Sequence, residues 1–98
     1  MQVLITARKF TARETLKDFI DAEVRSLEKI ADDILDAEMI LSFENNNNSV
    51  KTAELILKIP GHLVTANDSS DEFEKAVRGA VEKAERQIIK LKGKKQNH

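Results

Sequence analysis

Gln2–Arg8 alternates in a way that leaves no polar side. Val3 and Ile5 face one way, Leu4 and Thr6 the other, and both faces are largely apolar. That pattern predicts a strand inside a sheet rather than at its edge. The period then changes. Leu16, Phe19, Ile20, Val24, Leu27 and Ile30 recur at helical spacing, so a helix over Ala12–Ala31 would turn one apolar stripe toward a core. Thr11 and Glu14 have the spacing of a capping box at its start. Period two returns over Asp36–Glu44, with Ala37, Met39, Leu41 and Phe43 on one face. Four asparagines, Asn45–Asn48, follow, and such residues suit a hairpin loop. Val50–Ile59 puts Ala53, Leu55, Leu57 and Ile59 inward, Pro60-Gly61 marks a turn, and Leu63–Asn67 predicts a short last strand. Ser69 and Glu72 form a second possible capping box ahead of a stripe of Phe73, Ala76, Val77, Ala80, Ala84, Ile88 and Leu91. Gly93 is the expected stop of that helix.

The element order is therefore β-α-β-β-β-α, an α+β chain. A helical crossover makes the first two strands parallel and right-handed. The remaining strands form an antiparallel meander. Because the later strands have only one strongly apolar side, both helices must cover the same face, giving a two-layer sandwich with a four-stranded mixed sheet. Residues 1–93 are expected to form one domain and residues 94–98 a basic, flexible tail.

Composition narrows the chemistry. The chain has 98 residues, enough for one domain, with 41% hydrophobic and 34% charged residues. With no cysteine, disulfides, thiolate metal sites and a cysteine nucleophile are excluded. The opening MQVLITARKF lacks the apolar stretch of a signal peptide and no later segment suits a membrane span, so a cytoplasmic, membrane-free protein is expected. The Asn-x-Ser triplets at Asn47 and Asn67 then read as chance matches. The net charge of −1 conceals an asymmetry: the first 85 residues carry −6, and Arg86, Lys90, Lys92, Lys94 and Lys95 carry +5. A basic end on an acidic body points to a polyanionic partner, although two or three of these cations also suit the negative pole of a helix.

Catalytic readings find little support. His62 lies in or just after a turn and His98 at the terminus, without metal-ligand spacing between them. Asp32, Asp33, Asp36 and Glu38 cluster, but lack the pattern of a calcium loop, and a solvated loop is the simpler account. Gly61, Gly79 and Gly93 are isolated, so there is no phosphate-binding glycine loop. Ser69 and Ser70 read as caps rather than nucleophiles. No catalytic activity, cofactor, metal or small-molecule substrate is expected.

The second helix is more informative. Lys83, Arg86, Lys90 and Lys94 are spaced to share one stripe if the helix continues that far, and Lys92 and Lys95 enlarge the same end. Such a row can follow RNA phosphates and release counterions on docking. There is no Trp or Tyr, and the four Phe fall mostly at core positions, which favours recognition of RNA shape and backbone over base stacking.

These residues carry a resemblance. The segments MQVLITARKF, ETLKDFIDAEVRSLEKI, AEMILSFE, AELILKIPG and DEFEKAVRGAVEKAERQIIKLKGK, in this order and spacing, make the chain similar to the short ribosome hibernation promoting factors and ribosome-associated inhibitor protein Y. The resemblance implies a fold related to double-stranded RNA-binding domains. It also implies binding to the small ribosomal subunit and its rRNA in the channel used by messenger and transfer RNA, on whole ribosomes that are idle in stress or stationary phase. Translation inhibition and protection of the ribosome follow from that placement. By position, Lys83, Arg86, Lys90 and Lys92 match the family's basic residues on the second helix, and Lys17 matches one on the first. Glu23 and Ser26 stand where relatives often carry lysine, and Arg13, Arg25 and Lys29 are the neighbouring cations available instead. Long members carry a C-terminal dimerisation domain that this sequence does not show, so ribosome pairing would call on a helper factor. The alternative expectation is a protein–protein interaction module without RNA binding.

Overall fold

Alternating segments become strands and the period-3.6 segments become helices in the computed structural model, which describes residues 1–44 and 50–96, with side chains through Gly93. The strands are β1 (Gln2–Ala7), β2 (Asp36–Glu44), β3 (Val50–Ile59) and β4 (His62–Ser70). The helices are α1 (Glu14–Arg25), prolonged by a 3₁₀ turn over Ser26–Lys29, and α2 (Phe73–Gln96). The sheet order is β1-β2-β3-β4, with β1 parallel to β2 and the other pairs antiparallel. This is the expected β-α-β-β-β-α arrangement. The expected Asn45–Asn48 hairpin loop lies outside the described residues.

One face of the sheet makes the core. Met39, Leu41, Ala53, Leu55 and Leu57 are fully buried there against Ile20 and Val24 of α1 and Ala76, Val77, Ala80, Ala84 and Ile88 of α2. Each large aliphatic side chain so buried contributes about 1.5–3 kcal/mol. The alanines of α2 let its backbone lie close to the sheet. The two helices run side by side in the same direction. Phe10, ahead of α1, stacks on Phe73; the Arg78 guanidinium lies 5.2 Å from the Phe19 ring centroid; and Lys92 meets Asp33, just beyond the 3₁₀ turn, at 3.5 Å.

Several local expectations are corrected. β1 is an edge strand, and its outer side leaves Leu4 exposed. Thr11 does not cap α1. The helix begins two residues later than a Thr11 cap allows, from an extended Arg13 (φ −69°, ψ 152°) that makes no side-chain cap bond. Buried Ala12 instead ties the entry of the helix to the core. At the other end the Ser26 hydroxyl donates to the Glu23 carbonyl at 2.6 Å and the chain tightens to 3₁₀ geometry, which still buries Leu27. Ser69 is not a cap either. β4 extends over nine residues, pairing with β3 as far as Lys51, so Ser69 pairs with Thr52 and their hydroxyls lie 2.8 Å apart. Ladder hydrogen bonds outcompete the local cap. Gly93 does not stop α2, which continues to Gln96 through residues expected to be a tail. Finally, Phe43 follows the inward alternation but is 40% exposed, because it lies at the end of β2, level with the first residue of α2, where it meets the edge of Phe10.

Candidate nucleic-acid interface

α2 is held in place by its own polar side chains. β4 is the last strand of the sheet, so its outer backbone groups meet no further strand. Lys83 Nζ donates to the Asn67 carbonyl at 2.9 Å, and Gln87 Nε2, one turn on, donates to the Thr65 carbonyl at 2.7 Å. Such bonds satisfy a sheet edge that would otherwise invite another strand. Lys83 also meets the Asp68 carboxylate at 3.3 Å. That carboxylate occupies the space a Cβ on Gly79 would need, so the glycine is what lets β4 and α2 close up at this point.

The cations expected to bind RNA therefore separate into groups. Lys83, Arg86 and Lys90 are all exposed on α2. Lys83 is partly committed to β4, whereas Arg86 and Lys90 make no ion pair among the described residues. Lys92 is half-buried and paired with Asp33. Because α2 reaches Gln96, the helical spacing required to bring Lys94 onto the stripe is met, while the side chains of Lys94 and Lys95 lie outside the described residues. On α1, Lys17 pairs with Glu14 at 3.7 Å, and Arg25 pairs with Asp21 at 3.0 Å while also donating to the Met1 carbonyl. Lys29 is exposed in the 3₁₀ turn. The bond from Lys92 to Asp33 brings Lys29 to the same end of the helix layer as Lys90 and Lys92. Lys17 is separated from Arg25 by about 12 Å of helical rise and is not part of that grouping.

Other candidates are dispersed by the fold. Asp33 faces Lys92, whereas Glu38 accepts from the Thr6 hydroxyl at 3.0 Å on the sheet. The acidic cluster seen in sequence is thus divided between two surfaces. His62 opens β4 and borders a shallow hollow of about 260 Å³ shared with Leu63, Gln87, Lys90 and Leu91. At the start of α2, the Ser70 hydroxyl and the Lys75 ammonium hold the Asp71 carboxyl below its ordinary value. Asp71, and then Glu72, raise Lys75 in return.

Two features escaped the sequence pattern. Gln87 gave no signal, because only the position of β4 beneath α2 gives it a carbonyl to bond. The aromatic cluster was also missed: Phe10 stacks on Phe73 with centroids 5.1 Å apart, meets Phe43 edge-on at 5.6 Å, and Lys51 lies 5.9 Å above Phe73. These rings lie far apart in sequence, so periodicity within one element cannot bring them together.

Comparison with known proteins adds an independent line. A family model described as "Sigma 54 modulation protein / S30EA ribosomal protein" matches residues 3–96. The ribosome hibernation promoting factor of Escherichia coli K12 is 28% identical over 98 residues, covering 100% of both chains. Among solved structures, a ribosomal subunit interface protein from Coxiella burnetii has the same fold, with a TM-score of 0.85 at 22% identity, covering 95% of this chain and 99% of its own. The N-terminal domain of Thermus thermophilus Protein Y gives a TM-score of 0.78 at 24% identity, covering 91% and 94% respectively.

Proposed function

Since the chain belongs to the Sigma 54 modulation protein / S30EA ribosomal protein family, we propose that it is a ribosome hibernation factor working in the cytoplasm. In this reading residues 1–93 are the ribosome-binding domain. α2 docks on small-subunit rRNA in the channel that messenger and transfer RNA use, and the rigid sheet fills space those ligands need. Inhibition is by occupancy rather than by catalysis, and the occupied ribosome is protected while idle. The single observation that supports this most directly is the exposed stripe of Lys83, Arg86 and Lys90 on a helix that runs on to Gln96.

The roles within the stripe differ. Arg86 and Lys90, with Lys94 and Lys95 beyond them, make the principal phosphate contacts; Lys83 and Lys92 contribute from anchored positions. Lys29 extends the same end, and Arg25 and Lys17 are peripheral.

Co-sedimentation with purified small subunits and whole ribosomes across a salt series tests the reading. Saturable binding near one copy per ribosome, weakening steeply with salt and competing with transfer RNA, is the expected result. Arg86→Glu with Lys90→Glu should abolish that binding without lowering thermal stability. Binding that is undiminished in the double variant would overturn the assignment of the site.

A further inference from the structure

β1 is an edge strand whose Val3, Ile5 and Ala7 pack on the core, while its other side, which the fold leaves open, carries Leu4 between Gln2 and Thr6. On the sheet face turned away from the helices Leu4 is 57% exposed and Leu63 65% exposed. The pairing Leu4–Glu38–Ile56 lies one row from Gln2–Asp36–Lys58–Leu63, so three aliphatic side chains from different strands share a small area. They line a hollow of about 340 Å³, bordered by Asp36, Glu38 and Lys58. Scattered exposed leucines are ordinary, but apolar side chains gathered in a concavity mark an interaction site.

The charge on this face identifies the kind of partner. Asp36, Glu38, Glu44 and Glu54 all lie on the outer side of β2 and β3, where Lys58 is the one cation within the described strands. The strands also contribute no aromatic ring to this side. A polyanion is repelled here and finds nothing to stack on, whereas a positively charged surface is attracted. We propose that the open sheet face docks a basic protein surface whose aliphatic side chains, set among lysines and arginines, enter the hollow between Leu4, Ile56 and Leu63. The molecule then has two functional sides, a basic helix for RNA and an acidic, apolar sheet for protein. This goes beyond the ribosome reading and does not depend on it.

The test is methyl-detected NMR on the whole chain titrated with three probes: a short peptide alternating Leu and Lys, one alternating Leu and Glu, and an RNA hairpin. The Leu4, Ile56 and Leu63 methyls should shift saturably with the Leu/Lys peptide, less at high salt, and should not respond to the Leu/Glu peptide. RNA should perturb α2 and leave these methyls in place. Leu4→Lys and Leu63→Lys, both at exposed positions, should each weaken peptide binding about tenfold with unchanged circular dichroism. Arg86→Glu should leave peptide binding intact, which separates this site from the RNA site. An equal response to both peptides, no response to the Leu/Lys peptide, or RNA shifting the sheet methyls would overturn the proposal.

Discussion

Gly79 shows how much of this structure depends on a single missing methyl group. An added Cβ would overlap the Asp68 carboxylate, which lies against Gly79 and meets the Lys83 ammonium one turn along the same helix. Gly79→Ala should therefore cost about 1–3 kcal/mol, despite the better helix propensity of alanine, and denaturant unfolding would register the loss as a lower midpoint. Asp71 offers a second residue-level test. Its carboxyl is depressed in the folded state, first by the Ser70 hydroxyl and then by Lys75. Its contribution is present above the ordinary carboxylate value and disappears as pH falls through the folded-state pKa. Lys75 is raised, chiefly by Asp71, so its contribution is full below the ordinary lysine value and is lost as pH rises past the folded one. Both are therefore in force at neutral pH, though solvent screens them heavily. An NMR titration should find the Asp71 midpoint below 3.8, moving upward in Ser70→Ala. An unmoved midpoint would show that the hydroxyl is not the main cause. Exposure and partners of this kind were not legible in sequence. The stripe of cations on α2 could be read from spacing alone, but not that Lys83 would turn to Asn67 while Arg86 and Lys90 make no ion pair among the described residues.

Elements were read better than their ends. β2 and β3 have the predicted limits because period-two alternation runs the length of their ladder, continuing past the buried stretch to Phe43. Boundaries failed where a local signal competed with a longer-range one. Ser69 has the chemistry of a cap, yet β3 offered it a ladder partner; Gly93 has the chemistry of a stop, yet the helix passes through it. A Cβ at Gly93 would meet nothing within 4 Å, and Gly61 is the glycine with positive φ. Gly93→Ala should accordingly raise the helical signal in circular dichroism and stabilise α2 by up to about 1 kcal/mol. Destabilisation instead would mean that Gly93 terminates the helix in solution. β1 was misplaced for a different reason. Its outer side carries one large apolar residue, Leu4, between the polar Gln2 and Thr6, and that side is the open sheet surface.

For the whole molecule, charge has a direction that the total of −1 conceals. The basic end of α2 and the acidic outer sheet face are separate surfaces of one body with a longest dimension of 51 Å. If α2 carries the ribosomal contact, removing one phosphate-binding cation should reduce the salt dependence of binding by about one unit of log–log slope. Neutralising Glu54 on the sheet should leave that slope unchanged. Sedimentation of Arg86→Ala and Glu54→Gln across the same salt series checks both statements, and equal slopes for the two variants would contradict the division.

The parallel pairing of β1 with β2 also bears on how the molecule opens. Gln2 must find Asp36 across the whole α1 crossover, while β2, β3 and β4 pair with their neighbours in sequence. Closing the longer loop is entropically costlier, and an edge strand has a ladder on one side only. β1 and α1 should therefore detach as a unit while the meander and α2 stay assembled. Native-state hydrogen exchange would reveal this as lower protection free energies in β1 than in β3. The N-terminal third of the chain is then the part most readily lost and regained without global unfolding.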